Sequence, residues 1–204
     1  MKSCLVGLHG LGQNGSVLAK ILAPLTQQGV ALLLPDGPHR HEVRKHNQIR
    51  QGHAWYIYTG DQELFLQSLL RSEKDLLDLV RPTLKEHGIE GENCTLLGFS
   101  QGGYLAGFVA CRQPQLFRNC VIASARLKHE FLTEALASQV LPEVLFLHDK
   151  KDPLTRPEPV TDSCRILEEA GARTRIDWHD DGHRLGNGSL EALQIWLAER
   201  GLLG

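Results

Sequence analysis

The hydrophobic positions of this chain fall in short, dense runs. Six runs rich in Leu, Val and Ile stand at residues 3–10 (SCLVGLHG), 30–37 (VALLLPDG), 94–100 (CTLLGFS), 120–125 (CVIASA), 143–149 (EVLFLHD) and 174–180 (TRIDWHD). Near-continuous apolar character without alternation marks strands buried on both faces of a parallel sheet. Between the runs the spacing becomes helical. Helices are predicted over 16–28, closed by Gly29; over 64–87, closed by Gly88 and open to a kink at Pro82; over 101–113, stopped by Pro114; over 158–170, closed by Gly171; and over 189–200, closed by Gly201. Strand and helix alternate, so the expected architecture is α/β: a mostly parallel sheet of about six strands with helices on both faces, in one domain spanning 1–204. One stretch fits neither period. Residues 38–63, PHRHEVRKHNQIRQGHAWYIYTGDQE, are basic and aromatic and read as a long loop, emerging at the sheet edge where ligands bind.

The third apolar run ends in Gly98-Phe99-Ser100-Gln101-Gly102-Gly103. A side chain held at a sharp strand-to-helix bend needs neighbours with almost no bulk two positions away, which glycine supplies. Such a bend lifts the serine oxygen out of the sheet and points the next backbone N–H, at a helix N-terminus, toward developing negative charge. The alternative is a glycine-rich turn whose serine only caps the helix. The rest of the chain favours the elbow, because a serine nucleophile needs a base, and the base needs a group that fixes its tautomer. Both stand in the expected order: Asp149-Lys150-Lys151-Asp152-Pro153 follows the fifth run, and Asp180-Asp181-Gly182-His183 follows the sixth. The loop His9-Gly10-Leu11-Gly12-Gln13-Asn14-Gly15 follows the first run and offers a second oxyanion donor, so the hole is assigned to the backbones of Leu11 and Gln101. That loop also fills the G-x-G-x-x-G spacing of a dinucleotide site, but the only acid at the required distance is Asp36, and such a site gives no reason for Ser100 or His183.

Composition narrows the field. With 22 Lys and Arg against 24 Asp and Glu, the chain offers no electrostatic reason to bind nucleic acid or an anionic membrane. No apolar run approaches a membrane span, and the opening MKSCLVGLHG turns at glycine too early for a secretory leader, so a cytoplasmic protein is expected. Five cysteines, Cys4, Cys94, Cys111, Cys120 and Cys164, are odd in number and form no C-x-x-C pair, which points to buried free thiols. His39, His41, His46 and His53 cluster in the basic stretch without a metal-ligand spacing. His9 reads as a packing and hydrogen-bonding residue, and His179 as a rival to His183 with less freedom to swing over the serine. Trp55, Tyr56 and Tyr58 are either core aromatics or walls of the substrate site, and Trp55 and Tyr56 are taken as the binding candidates.

Taken together, "LHGLGQNG", "GFSQGG", "HDKKDP", "GHRL" and "AWYIY" resemble the phospholipase/carboxylesterase family of α/β-hydrolases, which includes acyl-protein thioesterases and small bacterial carboxylesterases. The resemblance covers nearly the whole chain and implies an α/β-hydrolase fold, a triad of Ser100, Asp152 and His183, and an oxyanion hole from Leu11 and Gln101; chemistry of this kind requires no cofactor, and no metal is expected. Where the family usually reads His-Gly before the acid, His148 is followed here by Asp149, a second carboxylate in the same loop. Where it commonly reads Trp-Phe-Asp, this chain has Trp55-Tyr56-Ile57. The activity expected is cleavage of a small-molecule carboxylic ester or thioester through an acyl-enzyme on Ser100. Dienelactone-type or peptide hydrolysis on the same triad, and a silent binding module of the same fold, are the alternatives, and a homodimer stays open.

Overall fold

The computed structural model describes residues 3–45, 48–137 and 140–204. All six apolar runs form strands of one sheet: β1 (Ser3–Leu8), β2 (Val30–Leu33), β5 (Cys94–Phe99), β6 (Asn119–Ala123), β7 (Glu143–Asp149) and β8 (Thr174–His179). The order is β2-β1-β5-β6-β7-β8 and every pairing is parallel. Successive side chains of a strand point to opposite faces, and here both faces are covered. Leu5, Leu97, Phe99, Val121, Leu145 and Leu147 pack with Leu18 and Leu22 of α1 (Gly15–Thr26) and with Leu193 and Trp196 of α6 (Asn187–Glu199). Val6, Leu8, Leu96, Ile122 and Phe146 pack on the other side with α2 (Gln62–Glu86), α3 (Gln101–Arg112) and α5 (Pro157–Glu169). This two-sided burial is why the strands read as unbroken hydrophobic runs.

The helices match the sequence periods to within a few residues, and the caps account for the differences. Asp61 accepts from the amides of Glu63 and Leu64 and starts α2 at Gln62, two residues ahead of its first apolar position. The same helix runs on through Pro82 to Glu86. A further short helix, α4 (Thr133–Leu136), lies in the β6–β7 connection, a stretch for which no helix is predicted above.

The basic stretch 38–63 is not a long loop. Most of it is an antiparallel two-stranded ribbon, β3 (His39–Lys45) paired with β4 (Gln48–Ala54). The ribbon is separate from the main sheet and its outer face carries exposed Arg40, Glu42, Arg44, Ile49 and Gln51, so the hydrophobic signal that marks a core strand is missing. It docks on the loop after β1: the Gly12 amide donates to the His53 carbonyl at 2.8 Å and the His53 amide to the Gln13 carbonyl at 2.8 Å. His53 turns its ring to the Gly37 carbonyl and Asp36, while His46 of the same cluster lies outside the described residues. Among the described residues, no helix is long and apolar enough to cross a membrane.

Candidate active site

Because every strand of the six-stranded sheet runs the same way, the turns that follow β1, β5, β7 and β8 share one edge of it. The turn after β5 holds Ser100 at φ 52° and ψ −116°, a backbone region that costs a residue other than glycine roughly 1–3 kcal/mol. The amide of Ser100 donates to the Ala123 carbonyl and its own carbonyl accepts from Gly103 and Tyr104, so the surrounding structure holds the strain in place. The three flanking glycines do not carry positive φ themselves; they are needed for close approach. A Cβ on Gly98 would run into the Gly102 carbonyl, one on Gly102 into the Leu8 carbonyl, and one on Gly103 would sit 2.7 Å from the Ala125 methyl. The Ser100 hydroxyl does not cap α3. It stands 2.9 Å from Nε2 of His183.

His183 reaches back to the serine from the far side of β6 and β7, and two aspartates of the β7–α5 turn share the task of holding it. Asp152 takes the imidazole: its Oδ2 and Oδ1 lie 2.8 and 3.0 Å from Nδ1 of His183. A carboxylate can only accept, so Nδ1 carries the proton and Nε2 is left to accept from the serine. Asp149 takes the backbone beneath, its Oδ2 accepting the Gly182 amide at 2.6 Å and its Oδ1 the Lys151 amide at 2.7 Å. Burial alone would push the Asp152 carboxyl up, and it is the largest single influence, but the Thr155 and Leu154 amides together with His183 outweigh it and hold the group below its usual range. The Lys151 and Gly182 amides hold Asp149 low in the same way. Asp152 thus faces the imidazole and Asp149 the backbone of the histidine turn, a division that their spacing in the sequence does not reveal.

The loop after β1 uses its amides selectively. Gly10 donates to Oε1 of its own loop's Gln13, Gly12 to His53 and Gln13 to Gly10. Among the described residues, Leu11 alone in 10–13 has an amide without a protein partner, and the first amide of α3, that of Gln101, is likewise unpartnered. The dinucleotide alternative is answered by the protein's own carboxylate: Oδ1 of Asp36 accepts the Gly15 amide at 2.7 Å, filling the N-terminus of α1 where a pyrophosphate would lie.

The other candidates are held by partners of their own. His179 has its ring against Ser189 and Asp181, and Asp181 accepts the amides of Gly188 and Ser189 at the start of α6. His9 is fully buried, with Nδ1 facing the Gly10 carbonyl at 2.8 Å and Nε2 accepting the Gly37 amide at 2.9 Å, a pattern only the neutral ring can satisfy. Trp55 and Tyr56, expected at the substrate, are only 2% and 6% exposed and belong to the core cluster around α2; Tyr58, at 57%, is the open aromatic of that stretch.

A parallel three-layer sheet whose serine elbow, acid turn and histidine turn converge on one edge defines an α/β-hydrolase. Comparison with known families gives the same answer in finer detail: the phospholipase/carboxylesterase model matches residues 1–199, and the chain belongs to that family. Among solved structures it is similar to SOBER1 of Arabidopsis thaliana (TM-score 0.78, 21% identity, covering 98% of this chain and 99% of that one). It is also similar to the Bacillus cereus carboxylesterase (TM-score 0.75, 17% identity, 98% and 89% covered) and to a carboxylesterase from Mesorhizobium loti (TM-score 0.78, 20% identity, 97% and 89% covered). No curated protein sequence matches the chain.

The buried histidines make acid stability testable. Burial, the largest influence on each, pushes both His9 and His148 below the usual imidazole range. An unfolded histidine titrates near pH 6.5, so below about that pH the unfolded chain binds protons that the folded chain refuses, and stability falls. Calorimetry from pH 8 to pH 5 is expected to show Tm constant above about 7 and falling below about 6.5, with a shallower fall in the His9→Gln, His148→Gln double variant; an unchanged slope would place the acid sensitivity elsewhere.

Proposed function

We propose that the protein is a serine esterase or thioesterase that acts through an acyl-enzyme on Ser100. The observation that carries this reading is the unbroken relay from Asp152 through His183 to Ser100, set beside two unpartnered amides at Leu11 and Gln101. In the reaction the Ser100 oxygen attacks the acyl carbonyl while Nε2 of His183 takes the hydroxyl proton. Asp152 accepts from Nδ1 throughout and stabilises the imidazolium without taking the proton. The carbonyl oxygen, now an anion, lies toward the Leu11 and Gln101 amides, which need no reorganisation to receive it. His183 then protonates the departing alcohol or thiol, and a water activated by the same nitrogen releases the acid.

Exposed Leu11 and Leu154 belong to the turns that carry the oxyanion amide and the acid, so apolar surface flanks the triad and supports an acyl group of modest length. The test is kcat/KM for p-nitrophenyl esters and acyl-CoA thioesters of graded chain length. Turnover of at least one series well above a Ser100→Ala control is expected; none in either series would overturn the reading.

Leu11 offers a narrower check. Its side chain is half exposed and its proposed role is backbone, so Leu11→Ala should change kcat little. Leu11→Pro deletes the N–H and should cost about 3 kcal/mol of transition-state stabilisation. Equal losses in the two variants would assign Leu11 to packing.

A further inference from the structure

We infer that the side chains of Gln101 and Trp55 are positioning residues that lock the two oxyanion amides to each other, an inference that rests on the esterase reading above. The Gln101 and Leu11 amides come from different turns, after β5 and after β1, and a hole made of two parts works only if their separation is fixed. A single chain of hydrogen bonds runs between those turns. The Gln101 carboxamide spends both of its ends on one backbone segment: Oε1 accepts the Trp55 amide at 2.9 Å and Nε2 donates to the Tyr56 carbonyl at 2.9 Å. From that segment the Trp55 indole Nε1 donates to the His9 carbonyl at 2.8 Å, two residues ahead of Leu11, with the indole and imidazole rings 5.0 Å apart.

The strap itself is anchored. Ser72 of α2 donates to the Trp55 carbonyl at 2.6 Å, and both aromatic side chains are buried. The amide, carbonyl and indole N–H of Trp55 and the carbonyl of Tyr56 are thereby all used, so the segment has no slack along the path from elbow to oxyanion loop. Gln101 thus has two separable duties: its backbone N–H faces the oxyanion, and its side chain sets where the other donor stands. The second duty also answers what the buried Trp55 does. It contributes to the reaction through geometry rather than through contact with the acyl chain.

The test uses Trp55→Phe, which removes the indole N–H together with part of the ring, and Gln101→Met, which keeps length but no hydrogen bonding. Rates are normalised to the Ser100 fraction that a fluorophosphonate titrates, so a variant that folds incompletely still reports on its folded molecules. Each variant is expected to lose about 10- to 100-fold in kcat, the scale of a small misplacement of catalytic groups, with KM changed by less than about threefold. The inhibition constant of a trifluoromethyl ketone, which binds as a tetrahedral oxyanion, should rise in step with the loss in kcat/KM. The loss should be the same at every acyl length, and the double variant should lose less than the product of the singles, because both substitutions break one chain. Full kcat per titrated site in both variants, or losses that multiply, would overturn the inference. A wild-type protein whose Ser100 does not label would overturn the esterase reading instead, so the two failures are distinct.

Discussion

Replacing Ser100 by alanine is expected to lower kcat by about 10⁴- to 10⁶-fold while the protein keeps its fold. The change removes one oxygen whose partner is Nε2 of His183 and leaves the amide bond to Ala123 and the carbonyl bonds to Gly103 and Tyr104 untouched. Alanine is also no better suited than serine to φ 52°, so the strain in the elbow stays and Tm should move little. Ser100→Gly separates chemistry from strain. It is equally inactive on this account, yet it should exceed Ser100→Ala in stability by roughly 1 kcal/mol, because glycine adopts positive φ without the clash, less its greater freedom when unfolded. Stopped assays together with thermal melts of the three proteins measure both effects. An alanine variant that retains more than a few per cent of wild-type activity would remove Ser100 from the chemistry.

The second large effect is expected at Asp152. In Asp152→Asn one side-chain oxygen remains to accept the Leu154 and Thr155 amides, so the turn can persist, but the group facing Nδ1 becomes an NH₂ donor. The imidazole must then accept at Nδ1 and carry its proton on Nε2, where it can no longer take one from Ser100. A wrong tautomer of this kind costs about 10⁴ in kcat. Asp149→Asn disturbs something different. It loses one of the two amides, Lys151 or Gly182, that the carboxylate accepts, which should cost about 1–3 kcal/mol of stability and loosen the histidine turn, with a loss of kcat no larger than about 100-fold. Kinetics and melting curves for both variants decide the assignment: the reverse ranking of kcat would make Asp149 the orienting acid.

The strands and the serine elbow were legible because their causes are local. A strand buried on both faces must be apolar at every position, and an elbow packed against β1 and β6 must be glycine where backbones touch, so both leave direct marks in the residue string. The order Ser100, Asp152, His183 was legible as well, since all three follow strands. The ribbon from His39 to Ala54 was not, because a two-stranded element with polar residues on its open face has no hydrophobic period to show. The family resemblance pointed to Asp152, but the spacing of Asp149 and Asp152 alone did not assign them separate duties. They sit three residues apart in one turn, and only the fold determines which carboxylate meets an imidazole and which meets backbone amides. The burial of Trp55 and Tyr56 was illegible for a similar reason: an aromatic pair looks the same in the residue string whether buried or open, and the partners that hold this one, Gln101, Ser72 and the His9 carbonyl, come from three distant parts of the chain.

The central claim, that Ser100 is the nucleophile activated by His183, is tested most directly by mapping the site of a fluorophosphonate adduct. The protein is titrated with the reagent, residual esterase activity is followed, and the modified peptide is sequenced by mass spectrometry. One phosphonyl group per chain on Ser100, with activity lost in proportion to labelling and no labelling in His183→Ala on the same timescale, is the result this account expects. Stoichiometric modification of another residue, or full activity in protein already labelled at Ser100, would contradict it.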